Sequence, residues 1–164
     1  TYDRVIDCRG LGAKTDLPEL RGVRGELVYV ETSDVQLQRP VRMMHPRYPI
    51  YIVPRADHRF VIGATQLECE ERGPISVRSM LELLSAAYAV HPAFGEARII
   101  QCCADARPAF PDNLPRIPPG DGWMRINGLF RHGFLLTPVL TEMACEILTG
   151  KIVQDHPKSI VQCG

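Results

Sequence analysis

Excess charge of either sign is missing from this chain. Its 164 residues hold 19 acidic and 19 basic side chains, for a formal net charge of zero, and the charges form no runs. That balance argues against a nucleic-acid-binding surface and against a polybasic membrane patch. No apolar stretch approaches the ~20 residues that cross a bilayer, so no membrane segment is expected. N-glycosylation sequons, internal repeats and low-complexity tracts are also lacking. No signal-peptide pattern is read, although the chain starts at Thr1 without an initiating Met and a targeting segment could lie upstream. The 6 cysteines include no Cys-x-x-Cys pair, and adjacent Cys102-Cys103 is poor spacing for a disulfide framework or a zinc site. Reduced thiols in a cytoplasmic protein are the expectation, with no metal. Arg far outnumbers Lys, which fits genomic bias as well as it fits anion binding. Small-molecule chemistry follows by elimination.

With 45% hydrophobic residues the chain can bury one core or two small interdependent lobes. Residues 3–7 read as a strand, and Cys8–Ala13 as its Gly-rich exit. Strands are expected at 25–31, 41–45 and 50–54. Arg55–His58 is a polar turn, and 59–65 is the returning arm of a hairpin. Ser76 precedes a helix with Val77, Met80, Leu81, Leu84, Ala87 and Tyr88 on one face, ending near Val90 before His91-Pro92. A strand over 97–106, an irregular proline-dense stretch from Pro108 to Pro119 and a strand over 123–126 follow. The order predicts an α+β fold: a mixed or antiparallel sheet with a helix, and a terminal strand-loop-helix sharing a layer with the first strand.

The terminal unit is the most informative part. Asn127-Gly128-Leu129-Phe130-Arg131-His132-Gly133-Phe134-Leu135-Leu136-Thr137-Pro138 is a glycine-punctuated loop leading into an apolar-periodic helix. Thr137 is the expected cap and Pro138 the first helical residue. Val139, Leu140, Met143, Ala144, Ile147 and Leu148 form one face, and Gly150 is the stop. A helix N-terminus carries unpaired N–H groups and partial positive charge, and Arg131 and His132 add to it, so the loop reads as an anion or cofactor seat. Taken alone, the same pattern is better read as a plain strand-to-helix turn with core residues.

Four motifs occur in order: Tyr51-Ile52-Val53-Pro54-Arg55, Gly63-Ala64-Thr65, Ala106-Arg107-Pro108 with Asp112-Asn113-Leu114-Pro115 behind it, and Gly128 to Pro138. Together they resemble the C-terminal half of the D-amino-acid oxidase family of flavoproteins, and within it the glycine oxidases of thiamine biosynthesis. The similarity covers residues 3–150. It implies FAD as cofactor, a strand of the FAD domain and its crossing over 1–23, a substrate-binding domain over 24–108, the return to the FAD domain with a flavin-facing helix over 109–152, and a tail over 153–164. The Gly-x-Gly-x-x-Gly fingerprint with its later acidic residue is absent, and Gly10-Leu11-Gly12 lacks the third glycine. The chain therefore resembles a family member without its N-terminal half. A fragment, a truncated frame and a piece of a split enzyme all stay open, as does a homo-oligomer.

Oxidising an amino acid at a flavin requires the substrate carboxylate to be clamped with the α-carbon hydrogen facing the cofactor. The resemblance assigns the clamp to Arg107, a hydroxyl contact to Tyr51, and a second arginine near substrate and cofactor to Arg131. Gln66 falls where relatives limit the substrate pocket and where glycine-preferring members carry Met. Gly10, Gly128, Arg131, His132, Gly133, Phe134 and Leu135 are the implied cofactor contacts. By residue type alone, Arg107 and Arg131 read first as surface ion-pair partners and Tyr51 as a packing residue, while Gln66 is equally an exposed polar one. No general base is required if the amine binds neutral, and His132 or the N–H groups of 133–135 could stabilise negative charge on the reduced flavin. The implied reaction is oxidative deamination of glycine or a small amino acid to the imine and 2-oxo acid with hydrogen peroxide. Oxidation of sarcosine or another secondary amine is the neighbouring alternative. A catalytically silent module is the alternative from another class, and the isolated chain is expected to retain FAD weakly.

Overall fold

A computed structural model describes residues 2–47, 49–150 and Ile160. In chain order it contains β1 (Val5–Asp7), a 3-10 turn (Gly10–Ala13), β2 (Arg21–Glu31), β3 (Val41–Arg42), β4 (Tyr51–Pro54), β5 (Arg59–Gly63), α1 (Val77–Val90), a second 3-10 turn (Pro92–Glu96), β6 (Arg98–Ala109), β7 (Pro119–Gly120), β8 (Trp123–Arg125) and α2 (Gly133–Leu148). The class is α+β, as the sequence predicts. Two compact units divide the chain: residues 1–23 with 107–164, and residues 24–106.

The continuous unit is built on a five-stranded sheet in the order β3-β4-β5-β2-β6. Its centre is the β4–β5 hairpin, with Ile52 opposite Ile62 and Val53 opposite Val61. Asp57 and His58 both take positive φ in the turn (59° and 56°), the backbone that matches the twist of paired strands. Val28, Val30, Ile52, Phe60 and Ile62 pack against Leu83, Ala86, Ala87 and Phe94, and the Phe60 and Phe94 rings meet edge to face at 5.3 Å. β3 ends at Arg42, three residues short of the expected strand.

Ser76 caps α1 as expected, its hydroxyl accepting the Ser79 N–H at 3.1 Å. The buried face is only partly the expected one: Ala87 is buried and Met80 and Leu84 pack on the core, as expected. Ser79, Leu83, Ala86 and Ala87 face the core, while Val77, Leu81 and Tyr88 are 78%, 62% and 56% exposed. Apolar residues surround most of this helix, so its period admits two faces. The chosen one carries the small side chains that allow close approach to a sheet, and it turns the Ser79 hydroxyl to Glu26.

In β2 the burial alternates, and Arg24 and Glu26 are in phase with Val28 and Val30. Both are buried, with side chains 3% and 0% exposed. The Arg24 guanidinium donates from Nε and Nη2 to Glu26 Oε1 at 3.0 and 2.8 Å. Burial pushes the Glu26 carboxyl up, but hydrogen bonds from Ser79, Arg24 and Thr65 outweigh it and hold the group below the ordinary carboxylate value.

The discontinuous unit holds a three-stranded sheet, order β1-β8-β7. β1 and β8 are parallel, Val5 opposite Trp123 and Asp7 opposite Arg125. α2 packs Leu140, Met143 and Ala144 on Ile117 and Met124. The helix starts at Gly133, not after Thr137 as the sequence suggested, so Pro138 sits inside its second turn. There the ring's fixed φ is helical, but it lacks the N–H that would donate to the Phe134 carbonyl, so the helix gives up one ladder bond at this turn. Thr137 does not cap; its hydroxyl donates back to the Gly133 carbonyl at 2.6 Å. Gly150, at φ +68°, follows the helix end as expected. Of the expected apolar face, Val139 is 40% exposed. The proline-dense stretch is flanked by strand at both ends, since Pro108 and Ala109 belong to β6 and Pro119 to β7. The expected tail over 153–164 lies outside the described residues except Ile160, whose carbonyl accepts the Ile117 N–H at 2.8 Å. The described cysteines are free thiols.

Removing one partner of a buried ion pair strands the other, so Arg24→Ala should cost about 3–5 kcal/mol of unfolding free energy in denaturant titration. Because the folded Glu26 carboxyl is depressed, its contribution is complete above the unfolded carboxylate pKa and is lost as pH falls through the lower folded value. Thermal melts on acidification should therefore fall more steeply for the parent chain than for Glu26→Gln.

Candidate functional site

Within the discontinuous unit three chain segments meet: the exit of β1, the end of β6 and the exit of β8. Asn127 joins two of them. It is 1% exposed, donates from Nδ2 to the Gly10 carbonyl at 2.9 Å, and accepts the Gly128 N–H on Oδ1 at 2.8 Å. Its backbone pairs with Arg116 in both directions, at 3.0 and 3.1 Å. The third segment is tied in by the Phe130 N–H, which donates to the Pro108 carbonyl at 3.0 Å. That bond lays Arg107-Pro108 beside Phe130-Arg131. Arg107 is half-buried and Arg131 exposed.

Backbone shape at this junction depends on glycine. Gly10 takes φ +59° and Gly128 φ +76°. A β-carbon on Gly128 would also lie 2.2 Å from the Phe110 ring. Phe130, at φ +50°, holds the same left-handed region without being glycine.

The chain then enters α2. Its ladder opens with the Leu136 N–H, which donates to the His132 carbonyl at 2.8 Å, and the His132 side chain forms no capping bond. The N–H groups of Gly133, Phe134 and Leu135 therefore precede the ladder at the positive end of the helix. Phe134 and Leu135 are exposed, as is His132. A cavity of about 300 Å³ is lined by Gly10, Pro108, Asn127, Leu129, Thr137 and Leu140 among others.

The other two expected substrate residues belong to the continuous unit. Tyr51 is half-buried in β4 opposite Gly63, and a β-carbon on Gly63 would stand 2.9 Å from the Tyr51 hydroxyl oxygen. The bare glycine backbone thus admits the phenol. Gln66 is exposed three residues beyond Gly63. Its neighbours are fixed: Thr65 is hydrogen-bonded to Glu26, and Leu67 pairs with Arg24. Among the described residues no group of His, Cys, Asp or Glu could hold a metal ion, and no helix is long and apolar enough to cross a membrane.

A family model described as FAD dependent oxidoreductase matches residues 1–147. The chain belongs to that family. A Rhizobium etli protein named as a thiamine biosynthesis oxidoreductase, ThiO, is 56% identical over 149 residues, covering 90% of this chain and 46% of the relative. The glycine oxidase of Bacillus licheniformis is 32% identical over 135 residues, 80% of this chain and 36% of that protein. The crystal structure of glycine oxidase from Geobacillus kaustophilus superposes with a TM-score of 0.83 at 22% identity, covering 100% of this chain and 47% of that one. This FAD-dependent oxidoreductase chain thus spans less than half the length of the relatives it matches, and the last likeness speaks to the fold alone.

The discontinuous unit suits part of a flavin. Three N–H donors at the head of α2 match a group that presents carbonyl oxygens and gains negative charge on reduction. Gly133 leaves space there, since a β-carbon on it would meet nothing nearer than Leu129 at 4.0 Å.

Asn127 escaped the sequence reading as a site residue, although a buried Asn-Gly at a strand exit is the available signal. Gly128→Ala adds left-handed strain and a ring clash, so it should lower unfolding free energy by roughly 2–4 kcal/mol. In the FAD-loaded full-length protein it should also lose the flavin absorption band on gel filtration, where the parent keeps it.

Proposed function

We propose that the protein carrying this chain oxidises glycine or a similarly small amino acid, and that it serves synthesis of the thiamine thiazole. The net reaction takes the amino acid, molecular oxygen and water to the 2-oxo acid, ammonia and hydrogen peroxide. The observation that carries the reading is the Phe130–Pro108 backbone bond, which sets the Arg107 segment against the Arg131 segment beside the open N–H groups of α2. A carboxylate and an electron-accepting cofactor both call for that kind of positive, fixed environment. The named relatives point the same way.

Arg107 acts in this reading as the bidentate clamp on the substrate carboxylate. The family resemblance gives the Tyr51 hydroxyl a substrate contact, and Arg131 adds positive charge. Gln66 bounds the pocket; an amide there accepts or donates a hydrogen bond where a thioether would offer only apolar surface. FAD, when bound, supplies the acceptor for the hydride that leaves the α-carbon. The chain's part is to hold the carboxylate, to orient the α-carbon, and to direct the Gly133–Leu135 N–H groups at negative charge as it develops. Gly10, Gly128, His132 and Phe134 shape that end of the site.

Peroxide release by the full-length FAD-loaded protein is the test. Arg107→Ala should lower kcat/KM for glycine by about 10–100-fold, the scale of one charge-assisted hydrogen-bond pair. Unchanged turnover removes the clamp. Rates ranked glycine above sarcosine and D-alanine support this reading, and sarcosine ranked first transfers the assignment to a secondary-amine oxidase.

A further inference from the structure

The connection from β5 to α1 is largely exposed, yet it is fastened to two residues of β2. The Glu26 N–H donates to Thr65 Oγ1 at 2.9 Å, and that hydroxyl donates to Glu26 Oε2 at 2.9 Å. The Thr65 N–H donates to the Glu26 carbonyl at 3.1 Å. Arg24 holds the next step. Its N–H donates to the Leu67 carbonyl at 2.9 Å, and its carbonyl accepts the Leu67 N–H at 3.0 Å. Its guanidinium then donates to the carbonyls of Glu71, Gly73 and Pro74 at 2.8, 3.0 and 2.6 Å.

Apolar residues would fill such a position with less desolvation cost, so a sealed ion pair is weak evidence for stability and better evidence for a required geometry. The fork of a guanidinium is suited to the task. It reaches a carboxylate and several loop carbonyls at once, which no neutral side chain can match. Gln66 is the single residue between Thr65 and Leu67, so its backbone is pinned by Glu26 on one side and by Arg24 on the other.

We infer that the Arg24–Glu26 pair is a positioning device that acts through Thr65 and Leu67 to set where the Gln66 side chain is presented, and thereby tunes substrate affinity. This rests on the reading of Gln66 as a pocket residue. Arg24 and Glu26 touch neither substrate nor cofactor in this scheme.

The test uses the full-length FAD-loaded enzyme and glycine. Thr65→Val keeps the branched shape and removes both hydroxyl bonds to Glu26. KM should rise about tenfold with kcat within about twofold, the scale of one or two lost hydrogen bonds. Amide exchange over residues 64–68 should quicken by about tenfold, with flavin absorbance unaltered. Thr65→Ser should restore all of these, and Glu26→Gln should quicken exchange over the same residues. Parent-like exchange and KM in Thr65→Val would overturn the inference. Gln66→Ala separates it from the reading beneath. If Gln66→Ala shifts KM and Thr65→Val does not, the positioning role falls and the pocket role of Gln66 stands. If Gln66→Ala leaves KM unchanged, the pocket role falls and the inference goes with it.

Discussion

One buried amide governs the arrangement of the discontinuous unit. Asn127 spends its donor on the Gly10 carbonyl and its acceptor on the Gly128 N–H, so the turn after β1 and the loop before α2 cannot shift independently. An apolar side chain at this place would leave a donor and an acceptor without their partner in a site 1% open to water. From Asn127 the constraint passes along the loop to Phe130, whose N–H fixes it against Pro108. The direction of α2, and with it the orientation of the N–H groups at its head, follows from these bonds.

The carboxyl ends of the parallel strands show the same economy with charge. Asp7 accepts from the Arg9 N–H, Nε and Nη2 at 3.1, 3.0 and 2.8 Å and from Arg125 Nε at 3.2 Å. Hydrogen bonds from Arg9 come first among the causes that hold its carboxyl well below the usual range. Arg125 in turn lies 4.0 Å over the Trp123 ring. A carboxylate at the end of β1 thereby orders an arginine on either side, where an unpaired strand end would fray.

Local chemistry was legible where one residue type admits one solution. The β4–β5 hairpin follows from β-branched arms around a polar turn, and the start of α1 from a serine able to cap. The buried face of α1 was legible only in part: Met80, Leu84 and Ala87 meet the core as the period suggests, but Leu83 and Ala86 join them in place of 77, 81 and 88, and only the sheet decides between those two sides. The start of α2 failed for another reason. Proline favours a first helical position on average, yet it is compatible with the second turn, and the preceding loop geometry set by Phe130 and Gly128 begins the helix sooner. Arg24 and Glu26 look like exposed polar residues by type. Their phase with Val28 and Val30 was the signal that they point inward, and it outweighs type once two such residues can neutralise each other.

The discontinuity of residues 1–23 with 107–164 bears on the order of events during synthesis. β1 leaves the ribosome well before its parallel partner, Asp7 and Arg125 being separated by 118 positions. At translation speeds of about 5–20 residues per second, β1 waits roughly 6–24 s for β8 to emerge. The intervening 24–106 unit carries its own hairpin, helix and core, so it can become native during that interval. A nascent β1 strand therefore stays without its β8 partner until translation has passed the inserted unit, and quality-control factors that bind unpaired edges have that window in which to act.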